Sequence, residues 1–211
     1  MTNQKEKIIL EIRGGKMALA GGKLAGGNPE RGRVDNDFYA TDPKSTRALL
    51  DNVEFYGNSF LEPCCGQGHI SKLIEEYYPD AEVVSQDLVD RGYGKTGIDF
   101  LTYEFDRKFD NVITNPPFKL AQDFIEKSLD LLNDNGKVAM FLKVQFLEGT
   151  GRKEFFEKAP LRYVYVFRAR QSPWMNGSPV DEKGKKWSST MCFAWFIFEK
   201  GFEGEPIIRW L

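Results

Sequence analysis

A doubly wound α/β domain is the fold class that the sequence predicts, and three observations lead to it. Short apolar runs that read as buried strands alternate with segments of helical spacing. Strand–helix alternation of this kind places parallel strands in one sheet, with helices covering both faces. The last two apolar runs have no helical segment between them, so they can form an antiparallel terminal hairpin that closes the sheet. A chain of 211 residues, 41% hydrophobic, can bury one full core and fits one domain better than two.

The elements follow in chain order. Residues 14–33 contain GGK at 14–16 and again at 21–23, then Gly26, Gly27, Pro29, Arg31 and Arg33. Such a composition buries little apolar surface, so residues 1–33 are expected to be a flexible, basic, glycine-rich arm and 34–211 the folded domain. Strands are expected at 58–63 (NSFLEP), 82–87 (EVVSQD), 109–115 (FDNVITN), 137–143 (KVAMFLK), 162–167 (RYVYVF) and 191–198 (MCFAWFIF). Helical spacing marks 69–78, 120–132 and 151–158, with Phe124, Leu131 and Leu132 on one face of the second. The loop at 168–190 carries Arg168, Arg170, Lys183, Lys185 and Lys186 beside Trp174 and Trp187. Loops of this length in compact domains are usually functional or unstructured.

Composition narrows the chemistry. The net charge of −2 supplies no overall field for a polyanion, so nucleic acid would have to meet a local basic patch. The three cysteines are Cys64, Cys65 and Cys192; an odd count with two adjacent suits a reducing compartment better than a disulfide framework. A single histidine, His69, and no cysteine pair at zinc-site spacing argue against a metal centre and against Ser-His-Asp catalysis. Neither a signal-peptide run nor a stretch of membrane-spanning length is present, which leads to the expectation of a cytoplasmic protein without membrane contact.

Two places carry the functional signal. In LEPCCGQG (61–68), Gly66 and Gly68 fall where the first long strand meets its helix, at the carboxyl edge where open α/β sheets bind ligands. Neither GxGxxG spacing nor a phosphate-binding lysine follows, so a nucleoside without phosphates fits better than a dinucleotide. Glu62 offers a carboxylate to an ammonium group, Asp87 ends the second strand where it can accept ribose hydroxyls, and Asp99 with Phe100 is placed to meet an adenine amine and face.

The second place is Asn115-Pro116-Pro117-Phe118, directly after FDNVIT. By average composition NPPF would arise by chance in about one chain in a thousand of this length. Two prolines end a central strand in a stiff turn whose carbonyls can face a ligand. An exocyclic aromatic amine is a poor nucleophile because its lone pair is delocalised into the ring. If the Asn115 side-chain oxygen and the Pro116 carbonyl each accept one N–H, the nitrogen moves toward tetrahedral geometry and can attack a sulfonium methyl. Phe118 would stack on the base.

With these residues on the page, EPCCGQG followed by NPPF and preceded by Phe38-Tyr39-Ala40-Thr41-Asp42-Pro43 resembles the S-adenosyl-L-methionine-dependent amino-methyltransferases of DNA. The resemblance is strongest to the small phage-type N6-adenine enzymes with gamma-type motif order, and it spans roughly 37–211. It implies a Rossmann-like methyltransferase fold and transfer of a methyl group to N6 of an adenine flipped out of double-stranded DNA, in a restriction-modification or phage setting. It further implies that Tyr39, Thr41 and Pro43 contact the methionine end of the cofactor, that Glu62, Cys64, Gly66 and Gly68 form its loop, and that Asn115, Pro116, Pro117 and Phe118 are catalytic. DNA contact is expected from Arg168, Arg170, Trp174, Lys183, Lys185, Lys186 and Trp187, since their loop should emerge near the NPPF edge. Alternatives are an RNA adenine, cytosine N4 (where the resemblance would lead to serine in place of Asn115) or a protein glutamine amide. From another class comes a catalytically idle module that binds cofactor or DNA.

Overall fold

The computed structural model describes residues 38–211, so the arm expected over 1–33, with Arg31 and Arg33, lies outside the described residues. The chain runs β1 (Tyr39–Ala40), α1 (Pro43–Leu50), β2 (Ser59–Glu62), α2 (Ser71–Tyr77), β3 (Glu82–Ser85), β4 (Phe109–Thr114), α3 (Ala121–Asp130) and β5 (Leu132–Lys143). It continues through α4 (Lys153–Lys158), β6 (Leu161–Val166), β7 (Trp174–Met175), β8 (Phe193–Glu199) and β9 (Ile207–Trp210). Seven strands form one sheet in the order β3-β2-β4-β5-β8-β6-β9, and β1 pairs with β7 in a separate two-stranded ribbon.

The sheet is parallel from β3 through β5. Strand β8 then inserts antiparallel between β5 and β6, the expected closing hairpin. Strands β2, β4, β5 and β6 therefore run the same way, and the turns after Glu62 and Thr114 and the loop between β6 and β8 all leave from one carboxyl edge.

Strand side chains alternate between two core layers. Leu61 and Phe196 join Phe124, Ile125 and Phe146 on one face, while Phe60 and Trp195 join Leu49, Ile70 and Ile74 on the other. Helices α1 and α2 cover the second layer and α3 the first. Trp195 is fully buried, and its indole N–H donates to the Ser45 carbonyl at 2.9 Å, tying β8 to α1. Helix α1 starts where local chemistry favours it: Asp42 accepts from the Lys44 N–H at 3.0 Å, and Pro43 brings a φ suited to the first turn.

Between β3 and Asp99 one parallel bridge joins Gln86 to Lys95, and Gly92, Gly94 and Gly97 all hold positive φ, which no extended ladder accommodates. Two features depart from the sequence reading. A ninth strand, β9, adds parallel to β6 at the sheet edge, so the chain does not end on the β6–β8 hairpin. The loop after β6 contains β7. Among the described residues no helix is long and apolar enough to cross a membrane.

Candidate functional site

The turn after β2 is shaped by its glycines. Gly66 (φ 52) and Gly68 (φ 79) occupy the left-handed region, and a Cβ on Gly68 would lie 2.6 Å from the Tyr93 ring. Asp87 is brought to this turn: its Oδ2 accepts from the Gly66 N–H at 2.8 Å and its Oδ1 from the Val89 N–H at 2.9 Å. Each oxygen retains a second lone pair for a hydroxyl donor. The carboxylate thus holds the loop in shape from the place where ribose recognition was expected.

Glu62 departs from its expected role. It is 1% exposed, its Oε2 accepts from the Ser71 N–H at 2.7 Å, and the Ser71 hydroxyl donates to the same oxygen. Burial pushes its pKa up to about 8, against the opposing effect of the Ser71 hydrogen bonds. The group joins the glycine turn to the start of α2 instead of facing outward to an ammonium. Phe100 departs as well. It is 2% exposed and lies in the core, 4.9 Å from the Phe124 ring and 6.1 Å from that of Phe105, so it presents no open face for adenine. Asp99 caps its own turn, with Oδ1 accepting from the Leu101 N–H at 3.0 Å.

Cys64 and Cys65 flank the glycines. Burial pushes both thiols up, Cys65 to about 12, so they are neutral packing groups and not nucleophiles. His69 follows the glycines, and burial holds its pKa below the ordinary value, so it is a neutral ring at pH 7. It sits edge-to-face with Trp174 at 5.6 Å.

The NPPF turn lies against the FYATDP segment. The Asn115 side-chain Nδ2 donates to the Tyr39 carbonyl at 3.0 Å. A carbonyl only accepts, so this bond fixes which branch of the amide is nitrogen and turns Oδ1 away from β1. Pro116 is buried and Pro117 exposed. The Pro117 carbonyl is engaged by the Leu120 N–H at 2.9 Å. Phe118 is half-buried, 6.0 Å from the Phe193 ring, and the Lys143 ammonium sits 4.9 Å from its centroid. Tyr39 is 42% exposed, whereas Thr41 is 2% exposed with a buried Oγ1 that has no hydrogen-bond partner. Pro43 opens α1.

The basic loop leaves and returns at the same edge. Trp174 is half-buried in the β1–β7 ribbon, with Ala40 opposite Trp174 and Tyr39 opposite Met175. The Asn176 N–H donates to the Phe38 carbonyl at 2.8 Å, and the Ser45 hydroxyl donates to Gln171 Oε1 at 2.7 Å. Gln67 of the glycine turn packs so closely on Gly177 that a Cβ there would fall 2.0 Å from its Oε1. Trp187 donates its indole N–H to the Ser178 carbonyl at 2.7 Å. Lys183, Lys185 and Lys186 are exposed around a turn built on Asp181, whose Oδ1 accepts from the Lys183 and Lys185 N–H groups. Arg168 bonds the Leu211 carbonyl, and Arg170 contacts the Cys192 sulfur.

The structure therefore gathers β1, the glycine turn, NPPF and the start of the loop. Lys183, Lys185 and Lys186 are carried on a separate turn of that loop. Gln67, Tyr93 and Gly177 escaped the sequence reading because each matters through a contact far along the chain. The donor set fits a phosphate-free nucleoside carrying an amino acid: a glycine turn at left-handed φ, the Asp87 carboxylate beside it and the orphaned Thr41 hydroxyl. Among the described residues no group of three or more His, Cys, Asp or Glu side chains is placed to hold a metal ion.

This is the class I S-adenosylmethionine-dependent methyltransferase fold. A Listeria monocytogenes protein assigned to that class superimposes with a TM-score of 0.57 at 15% identity, over 86% of this chain and 68% of its own. The methyltransferase subunit of a Streptococcus thermophilus type I restriction-modification system gives 0.55 at 15% identity, over 80% and 46%. In sequence, the chain is 26% identical over 145 residues to the type II methyltransferase M.CvrRI of Paramecium bursaria Chlorella virus XZ-6E, covering 54% of this chain and 38% of that protein. It is 25% identical over 151 residues to a malonyl-[acyl-carrier protein] O-methyltransferase of Acetivibrio thermocellus, covering 59% and 53%. The chain thus spans only part of the length of these curated relatives. No protein-family model matches it.

Proposed function

We propose that the chain is an S-adenosylmethionine-dependent methyltransferase acting on the exocyclic N6 amine of adenine in DNA. The observation that carries this reading is the Asn115 amide, held by the Tyr39 carbonyl so that Oδ1 is the branch offered to a ligand. The cofactor, when bound, supplies an electrophilic methyl group. Gly66 and Gly68 let the backbone approach it closely, Asp87 accepts its ribose hydroxyls, and Thr41 is the partner for its methionine end. Asn115 Oδ1 and the Pro116 carbonyl accept the two amine N–H groups, which localises the lone pair on nitrogen. One of those protons passes to water once the nitrogen has become four-coordinate, so no strong base is needed. Phe118 stacks on the base, and the Lys183–Lys186 turn meets the phosphate backbone. The sequence likeness to a type II methyltransferase supports DNA as the polymer, and the likeness to a malonyl-[acyl-carrier protein] O-methyltransferase marks the competing small-substrate reading.

Methyl-labelled cofactor supplied separately with duplex DNA, RNA, protein and a malonyl thioester tests the proposal, with labelled products identified by mass spectrometry. N6-methyladenine from DNA is expected. Label in RNA, in a glutamine amide, at cytosine N4 or in a carboxyl ester overturns the substrate, and absence of cofactor binding by calorimetry overturns the whole reading.

A further inference from the structure

Asn115 is oriented by a backbone carbonyl, and part of what holds that carbonyl lies far along the chain. Tyr39 belongs to β1, a strand of two residues whose sole ladder is with β7 of the loop after β6. The same loop donates the Asn176 N–H to the Phe38 carbonyl one residue earlier. On the far side of the ribbon Trp174 stands edge-to-face against His69, just beyond the glycine turn. A ribbon this short has no independent stability, so it depends on contacts with the body of the domain, among them the Trp174 ring on His69, Phe38 beside Gly66 and His69, and Gln67 against Gly177.

We infer that Trp174 is a positioning residue for Asn115: by pinning β7 against His69 it holds β1, and through the Tyr39 carbonyl it fixes which atom of the Asn115 amide faces the acceptor amine. Among the described residues no hydrogen bond or ring contact joins Trp174 to Asn115. Its effect passes through the β1–β7 ladder, so a loop that meets polymer also sets the geometry of the turn that meets the base. The inference rests on the proposed amino-methyltransferase reading for its kinetic consequence, but its structural half stands without it.

The test therefore has two readouts. In protein labelled with 15N-asparagine, the Asn115 side-chain amide resonances are assigned by their loss in Asn115→Ala. Trp174→Ala should move them toward the positions of a solvent-exposed amide, whereas Trp174→Phe, which keeps an aromatic edge for His69, should restore them. Under single-turnover conditions with DNA at saturation, Trp174→Ala should lower the rate roughly 10-fold to 100-fold, in keeping with small misplacements of reacting groups, and leave cofactor affinity unchanged. In the Asn115→Ala background the same change should cost almost nothing further, because residues acting through one another are non-additive. Unmoved Asn115 amide signals in a folded Trp174→Ala protein overturn the inference. So does a loss that appears only as weaker DNA binding and vanishes at saturating DNA, since that would make Trp174 a direct DNA contact. If wild type transfers no methyl group to DNA, the failure belongs to the functional reading, and the amide signals still decide the positioning role.

Discussion

The two sides of the site differ in how far along the chain their contacts reach. In the glycine turn, Ser71 bonds Glu62 across 9 residues and Gly66 bonds Asp87 across 21. On the acceptor side, Asn115 bonds Tyr39 across 76 residues and Ser45 bonds Gln171 across 126. A short loop closes at small entropic cost, and a long one closes only when the rest of the fold already brings its ends together. The proposed nucleoside side is consequently built mainly from one βαβ unit, whereas the proposed acceptor side exists only in the completed sheet. Damage to the first should appear as lost cofactor affinity, and damage to the second as lost rate.

The largest expected effect is on rate. Asn115→Ala removes an acceptor from the reacting amine and should slow methyl transfer by ~100-fold or more, while calorimetric affinity for the cofactor stays as in wild type. Equal losses in both quantities would erase the distinction between the two sides. Next comes affinity: Asp87→Ala deletes the bonds to the Gly66 and Val89 N–H groups as well as the proposed ribose acceptor, and should weaken cofactor binding by about 1–3 kcal/mol. An unchanged dissociation constant would remove Asp87 from the cofactor site.

A smaller effect sharpens the picture of Glu62. Its folded pKa of about 8 lies above the ordinary carboxyl value. Between those two values the folded protein holds a proton that the unfolded chain has released, so stability falls as pH rises from 5 to 8. Thermal melting should show this decline in wild type and a flatter profile in Glu62→Gln; matching slopes would mean that Glu62 is ionised in place. The smallest effect concerns the loop tip. Replacing Lys183, Lys185 and Lys186 together with alanine should weaken DNA binding at moderate salt and flatten its salt dependence by up to ~3 slope units, leaving cofactor affinity alone. An unaltered salt slope would assign the phosphate contacts elsewhere.

The same difference in reach decided what was legible beforehand. The placement of the paired glycines and of Asp87 beside them was readable because it follows from strand order, and the Asp87 carboxylate does meet the Gly66 N–H; the roles of NPPF, the glycines and Asp87 stand as proposals. Phe100 was misjudged because sequence supplies its aromatic character but not its direction: it faces Phe124 and the core. Glu62 was misread for a similar reason, since Ser71, at the start of α2, claims its carboxylate. Strand β9 was missed because its residues are exposed on both faces and carry no alternation.

The place of β8 in the sheet has a bearing on how the chain acquires its shape. It lies between β5 and β6, fully buried through Trp195, Phe196 and Phe198, and it is synthesised after both. As the polypeptide leaves the ribosome, β6 therefore emerges with no neighbour to pair with, and the ladder edge of β5 stays open until another thirty or so residues have followed. Through that interval the nascent chain displays the open edge of β5 and the unpaired strand β6, which makes this the stage at which a chaperone has most to shield, and slow translation of the basic loop would prolong it.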